Sequence, residues 1–284
     1  MADGMLEVLD DISGEGNRRF RLGLRDGAAV EAVVYGGDAL CISSQVGCAV
    51  ACPFCASGAR GFGRNLELDE LVGQVMTVRG LVNGIVRVTV SGIGEPLHNH
   101  QRVVAFTEWA RTVGLPVSLT TSGGPLARLR PWLELHPHRG LTISVHAGTE
   151  AVRAQMVPHG PSLTALFGVL GQTVPGLGRG RRRKVALAYL LMAGINDHEA
   201  EIDAFVERVR SLRLKLHLYA FNPVPTNDLE PASEARYQQI AARLRGDGFD
   251  VRRSSQARRR ANGGCGTLVA ARSASSPNAL PVLQ

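Results

Sequence analysis

No stretch of this chain reaches the ~18 consecutive apolar residues of a membrane-spanning helix. The first twenty residues, MADGMLEVLDDISGEGNRRF, hold no apolar run of the kind that heads a secreted protein. Both absences lead to the expectation of a cytoplasmic protein with no membrane partner. Cysteine is also scarce. There are five in 284 residues, an odd number, and three of them fall in one short loop. This fits a reducing compartment and not a secreted disulfide framework. No second CxxC and no His-x3-5-His accompanies the three. A structural zinc site takes four ligands, usually as two separated pairs, so a zinc knuckle would here lack part of its ligand set.

What is present is enough for an enzyme core. With 44% hydrophobic residues and mean hydropathy near zero, the chain can bury a core as one large domain or a domain with appendages. Lys and Arg exceed Asp and Glu by 32 to 25, a net charge of +7 and a pI near 9.6. Much of the excess lies in two runs, Arg179 to Lys184 and Arg252 to Arg260. Each run reads either as a solvated loop or as a contact for a polyanion such as nucleic acid.

The three clustered cysteines are Cys48, Cys52 and Cys55, in CAVACPFC. Three thiolates on one loop hold three corners of a cubane iron-sulfur cluster and leave the fourth iron open. A ferredoxin closes that position with another cysteine. An open iron in a large α/β chain points to a substrate or cofactor bound directly to the metal.

Residues 19 to 44 alternate apolar and polar in RFRLGL, AVEAVVY and ALCIS, with Gly-rich breaks, which predicts a small antiparallel meander. After the cysteine loop, helical and β-branched patterns alternate. Helices are expected at 65–82, 100–113, 125–135, within 149–172, at 197–212 and at 233–246. Strands are expected at 85–92, 116–121, 141–146, 184–191 and 214–220. Alternation of this kind predicts a parallel sheet, most simply a curved or open (β/α) barrel. GRGRRRK at 178–184 reads as an exposed connection, and residues 272–284 as a disordered tail.

Chemistry in a parallel sheet belongs at the strand ends, and four of them are marked. One ends in Gly92-Ile-Gly94-Glu95-Pro96, where glycine permits close backbone approach and a carboxylate can accept from an ammonium group. The others end at Ser122, at Ser144-Val145-His146 and at Phe221-Asn222-Pro223. Each alone also reads as turn chemistry, and His146 alone as a structural histidine.

Together these residues resemble the radical S-adenosylmethionine superfamily. CISSQVGCAVACPFC, GFGRNL, GIGEPLHN, TTSG, SVHA, AGIND and NPVP, in this order, resemble the RlmN and Cfr type of RNA adenine C-methyltransferase over roughly residues 17 to 270. The resemblance implies an α/β fold, a partial (β/α)6 barrel with a small N-terminal antiparallel β extension. It divides the chain into an extension at 1–44, a core with a methyl-carrying loop at 45–271, and a tail at 272–284. It also implies a 4Fe-4S cluster on Cys48, Cys52 and Cys55, two S-adenosylmethionine molecules per turnover, and an external electron donor such as flavodoxin or ferredoxin.

An sp2 carbon between two ring nitrogens is electron-poor and will not attack a methyl donor, so a radical route is required. By resemblance, Cys265 is methylated by displacement, and a second cofactor, bound through its amino and carboxylate groups, is cleaved to a 5′-deoxyadenosyl radical. That radical takes a hydrogen from the Cys265 methyl, and the resulting carbon radical joins the substrate ring. Cys41 then releases the product by forming a transient disulfide with Cys265. Read alone, Cys41 and Cys265 are two buried free thiols. Glu31, in EAVVY, matches the family's proton acceptor; periodicity alone makes it one exposed charge on an alternating strand. Gly94, Glu95, Ser122, Ser144, Val145, His146 and Asn222 match the cofactor-contacting positions.

Two departures bear on the substrate. RNA-modifying members carry an accessory helical domain ahead of the meander, and this sequence starts almost at the meander. Before Cys265, Arg258, Arg259 and Arg260 stand where the family has acidic residues. Three readings therefore stand: methylation of RNA held by the Arg runs, the same chemistry on a small heteroaromatic or nucleoside-like metabolite, and a metal-binding protein without activity. The presence of Cys41, Cys265 and Glu31 argues against the last.

Overall fold

Four strands at the amino terminus run as successive hairpins: β1 (Glu7–Gly14), β2 (Asn17–Gly23), β3 (Ala29–Tyr35) and β4 (Ala39–Ile42). The structure, a computed structural model, describes residues 4–14, 16–224, 226–255 and 266–270. β1 lies ahead of the expected meander. Its sequence, EVLDDISG, is largely exposed and carries no period-2 apolar signal; pairing with β2 alone makes it a strand. β4 is where the meander becomes the core. It pairs antiparallel with β3 on one side and parallel with β7 (Arg87–Val90) on the other, which explains why all four of its residues are buried. The expectation that ALCIS belongs to the meander alone is therefore corrected.

A short hairpin, β5 (Gln45–Gly47) with β6 (Phe62–Asn65), then pinches off the cysteine loop. From there the chain alternates as its patterns predict: α1 (Leu68–Leu81), β7, α2 (His100–Thr112), β8 (Val117–Thr121), α3 (Leu126–Glu134) and β9 (Gly140–Ser144). It continues with α4 (Glu150–Met156), α5 (Leu163–Thr173), α6 (Arg179–Arg182), β10 (Val185–Leu191), α7 (Glu199–Arg210), β11 (Lys215–Ala220), α8 (Glu234–Gly246) and β12 (Val251–Arg253). Local sequence sets several of the helix starts. Glu67 and Glu70 form a capping box for α1, while Thr149, Ser162 and Ser233 cap α4, α5 and α8.

The strands form one sheet in the order β1-β2-β3-β4-β7-β8-β9-β10-β11-β12, parallel from β4 onward. Six strand-helix units, from β4 to α8, make the open barrel, and β12 is a short closing edge. This is the partial (β/α)6 architecture expected, with its antiparallel extension hydrogen-bonded into the same sheet. Trp132, Phe106, Tyr189 and Phe205 are among the largest side chains buried in its core.

GRGRRRK is more than a connection. Residues 179–182 form α6, and Arg181 donates to the carbonyls of Trp132, Leu133, Leu135 and His136, which α3 leaves unsatisfied at its end. Among the described residues no helix is long and apolar enough to cross a membrane. The tail at 272–284 lies outside the described residues, as do Arg258, Arg259 and Arg260 of the second basic run and the proposed methyl carrier Cys265.

Candidate active site

The cysteine loop is closed at its neck by Gly47. A Cβ there would stand 1.9 Å from the carbonyl oxygen of Gly61, and the residue has φ +76°, so only glycine lets β5 and β6 approach. Beyond the neck, Cys48 N–H donates to Gly61 O at 3.2 Å and Cys55 N–H to Cys52 O at 3.0 Å. The three thiols thus share one tight loop, half-buried and free of disulfides. Beneath them lies a small apolar bed of Val50, Met156, Val157, Met192 and Phe221, separate from the main core. Burial in this setting pushes the Cys48 thiol up to about 12 and Cys52 well above the ordinary thiol range. Both therefore hold their protons until a metal displaces them.

The loop covers the C-terminal ends of the parallel strands, and a cavity lies between them. Cys48, Cys52 and Cys55 line it together with Gly94, Glu95, Ser122, Ser144, His146 and Asn222. All the expected cofactor-contacting residues are thereby brought to one cavity except Val145, which is fully buried in the core. Gly94 has φ +104°, and the space its missing side chain leaves is filled by Gln45, whose Cβ would lie 2.6 Å from a Cβ at 94. Its close approach is thus to the chain itself.

Glu95 is buried and fixed. Oε1 accepts from Thr121 Oγ1 at 2.6 Å and from Leu97 N–H at 3.0 Å, and Oε2 accepts from Ser122 N–H at 2.7 Å. A carboxylate offers about four lone-pair sites, so roughly one remains for a ligand in the cavity. In the same wall Ser122 Oγ is buried without a hydrogen-bond partner among the described residues. His146 accepts the Leu190 N–H on Nδ1 at 3.0 Å, which leaves Nε2 to carry the proton, and it packs edge-on against Phe54 at 5.4 Å. Burial, with the positive charge of Arg153 nearby, lowers its pKa to about 3, so the imidazole is a neutral donor at any working pH.

Sequence reasoning missed the groups that hold these walls. Arg153, 1% exposed, donates to the carbonyls of Ser122, Ser144, Val145 and Pro161, tying the ends of β8 and β9 together. In sequence it is an ordinary arginine on a short amphipathic helix, and nothing there signals burial. Asn196, within the AGIND motif, donates to His146 O and Leu190 O and accepts from Met192 N–H. Its motif was visible; its role in fixing His146 was not. Arg64, of GFGRNL, is bidentate to Glu70 at 2.7 Å and reaches Asp26, so it clamps the meander to α1.

Of the outlying residues, Cys41 lies next to this cavity. Cys41 is buried in β4, its Sγ 3.3 Å from Ser91 Oγ, and Ser91 lines the cavity. Glu31 is 8% exposed, not the exposed charge that alternation suggests, because β3 is covered on both faces. Its Oε2 accepts the Val269 N–H at 2.9 Å, and burial raises its pKa above the usual carboxylate value. Residues 266–270 dock onto the cysteine loop as well, through Ala56 N–H to Gly266 O at 2.7 Å and Ser57 Oγ to Leu268 O at 2.9 Å.

The donor set fits an iron-sulfur cluster with a polar organic ligand beside it. Among the described residues no three His, Cys, Asp or Glu side chains gather on a single ion. A cubane has no need of that, because each thiolate takes a different iron. The orphaned Ser122 hydroxyl and the partly satisfied Glu95 carboxylate give the ligand a donor and an acceptor.

Residues 42–206 match the model of the radical SAM superfamily. That superfamily carries a 4Fe-4S cluster and S-adenosylmethionine. The chain is 39% identical over 225 residues to a probable RNA methyltransferase of Rhodopseudomonas palustris, covering 74% of this chain and 60% of that protein. It thus spans less than two thirds of that relative. To the dual-specificity RNA methyltransferase RlmN of Syntrophobacter fumaroxidans it is 31% identical over 282 residues, covering 94% of this chain and 81% of that one. The crystal structure of a radical SAM methyltransferase from Sphaerobacter thermophilus superposes with a TM-score of 0.75 at 27% identity, covering 93% and 81% of the two chains. With the cysteine loop, strand-end cavity and open barrel in place, these matches show that the chain belongs to the radical SAM superfamily and, within it, to the family of RlmN-type RNA methyltransferases.

Proposed function

We propose that this chain methylates an electron-poor ring carbon of adenine in RNA, with Cys265 as the thiol that carries the methyl group. The observation that supports this most directly is the seating of residues 266–270. The segment following Cys265 is hydrogen-bonded to the cysteine loop and to the Glu31 carboxylate at once. The names of the relatives supply the substrate class.

Cys48, Cys52 and Cys55 would hold three irons of the cluster. Glu95, Ser122, Ser144, His146 and Asn222, with the backbone at Gly94 and Val145, would hold S-adenosylmethionine, two molecules per turnover. When bound and reduced from outside, by a donor of the flavodoxin or ferredoxin class, these groups supply the radical that breaks a methyl C–H bond. The chain's own residues do the rest. Cys265 holds the methyl as a thioether, so the carbon that joins the ring remains tethered to the protein. Glu31 accepts the ring proton, and the adduct's unpaired electron would pass back to the cluster, so that a closed-shell thioether remains; burial strengthens the basicity of Glu31, and the Val269 N–H fixes its orientation. Cys41 ends the cycle. Its sulfur attacks that of Cys265, an S–S bond forms as the sulfur–carbon bond breaks, and the leaving carbon takes the electron pair and a proton to become the methyl group.

Reconstituted enzyme given S-adenosylmethionine and a reductant, with ribosomal and transfer RNA in one arm and adenine nucleosides in another, tests the reading by mass analysis. Methyladenosine is expected in the RNA arm. Methylation of the nucleosides with none in RNA would overturn the substrate.

Glu95 gives a narrower prediction. Glu95→Gln keeps the shape but removes the charge that a methionyl ammonium would meet. Cofactor affinity should fall about tenfold or more, the worth of one charge-assisted hydrogen bond, with iron content near wild type. Unchanged affinity by equilibrium dialysis would leave Glu95 with only its structural bonds to Thr121, Ser122 and Leu97.

A further inference from the structure

At the other end of the barrel, where the parallel strands begin, lies a second cavity of about 400 Å³. Six cations stand around it, Arg87, Arg139, Arg183, Lys184, Lys215 and Arg252, and among the described residues no carboxylate lines it. They come from five separate strand starts, so no single run in the sequence announces them. Among the described residues only Arg87 is paired, to Asp38 at 2.7 Å. The side chains of the other five make no ion pair or hydrogen bond among the described residues.

Their neighbours show what the structural use of such residues looks like. Arg181 and Arg182, in the same run as Arg183 and Lys184, are spent on the carbonyls that end α3 and on Leu212 O. Arg183 and Lys184 remain exposed. Unpaired like charges gathered at one rim repel one another, a cost that an anionic partner removes.

Two further observations define the partner. A groove of about 580 Å³ shares Arg183 and Lys215 with this cavity and extends the basic surface through Arg179, Arg210 and Arg213, against Asp247 and Asp250 among the described residues. The rim therefore continues into a track longer than one phosphate. Inward, the cavity is walled by Ser118, Thr142 and Thr120, and both Thr120 and Tyr219 also line the cysteine-loop cavity. Thr120 and Tyr219 thus stand between the basic mouth and the proposed reaction site. Thr120 and Tyr219 stand three and four residues into their strands, roughly 10 to 13 Å from the rim. An extruded nucleotide met by arginine side chains at its phosphate spans that depth.

We propose that the N-terminal mouth of the barrel is the phosphate-binding site for a single-stranded RNA segment, whose target nucleotide enters the barrel base first, past Thr120 and Tyr219. This rests on the RNA reading given above. Arg139, Arg183, Lys184, Lys215 and Arg252 hold the backbone at the rim, the adjoining arginine groove carries its continuation, and Tyr219 offers an aromatic face to the entering base.

The test is fluorescence anisotropy of a labelled single-stranded RNA dodecamer with the full chain over a salt series. Arg183→Glu with Lys184→Glu, and Arg139→Glu, are compared with wild type and with Arg79→Glu on the outer face of α1. The double variant should weaken binding more than about tenfold and lower the log-log salt slope by about 0.7 per lost contact. Arg79→Glu should bind as wild type does. The plug Thr142→Phe, with iron content as the check on folding, should stop methylation while RNA stays bound. Wild type that neither binds nor methylates RNA overturns this proposal together with the RNA reading. Wild type that does both, with rim variants binding equally well, overturns this proposal alone. Full methylation by the plugged enzyme overturns the route through the barrel.

Discussion

Alanine at any one of Cys48, Cys52 or Cys55 is expected to remove the iron-sulfur chromophore and all cleavage of S-adenosylmethionine. The three thiols sit on one loop closed by Gly47 and cannot substitute for one another, and among the described residues the only other free cysteine is Cys41, buried in β4. Because burial holds Cys48 and Cys52 protonated, iron must displace their protons to bind, and losing one ligand removes part of the free energy that does so. Bound iron should fall about fivefold or more after anaerobic reconstitution. The fold should survive. The loop is tied to the rest of the chain by backbone and side-chain bonds from Asn227 to Pro53 and from residues 266–268 to Ala56 and Ser57, none of which uses a thiol. Circular dichroism and iron analysis on the same samples check both halves. Full cofactor cleavage by any of the three variants would remove the cluster from this loop.

The second large effect separates the two remaining thiols in time. If Cys265 must take the methyl before anything else, Cys265→Ala yields neither methylated protein nor product. Cys41 acts last, so Cys41→Ala should accumulate a covalent species in which Cys265 is joined to the substrate through one carbon. Turnover should be lost altogether, yet stability should change by only about 1 kcal/mol, since a buried cysteine behaves as a small apolar side chain and alanine leaves a small void. Mass spectrometry of the Cys41→Ala protein reads the result directly, and an adduct of nucleotide mass after nuclease digestion also identifies the base. Normal turnover by either variant would refute the thiol relay while leaving the cluster and cofactor proposals intact. Ser91, 3.3 Å from the Cys41 sulfur, is the natural hydrogen-bond partner of that thiol, so Ser91 belongs in the same series.

Local order decided what the sequence alone could tell. CAVACPFC needs no tertiary information to be read as a candidate cluster loop, because the spacing itself brings three thiols together. The alternation of β-branched runs with helical spacing specified the parallel sheet, and helices and strands formed within a few residues of where their patterns lie. Strand ends follow from the same pattern, which is why Gly94, Glu95, Ser122, Ser144, His146 and Asn222 were legible as one ring before their contacts were known. β1 was not legible, since its exposed acidic sequence becomes a strand only by pairing with β2. The short β5–β6 hairpin and β12 escaped for a related reason: three or four residues carry too little period to read.

Tertiary structure decided everything that depends on residues far apart in the chain. Burial made Glu31 a basic carboxyl beside Val269 instead of a surface charge, and made Arg153 the clamp of two strand ends. It also sorted one basic run by function: Arg181 and Arg182 turn inward to unsatisfied helix-end carbonyls, while Arg183 and Lys184 join Arg87, Arg139, Lys215 and Arg252 around the mouth of the barrel. Net charge was countable from composition. Its convergence was not, because each crossover connection returns the chain to the same end of the sheet and so gathers cations that lie up to 165 positions apart, from residue 87 to residue 252.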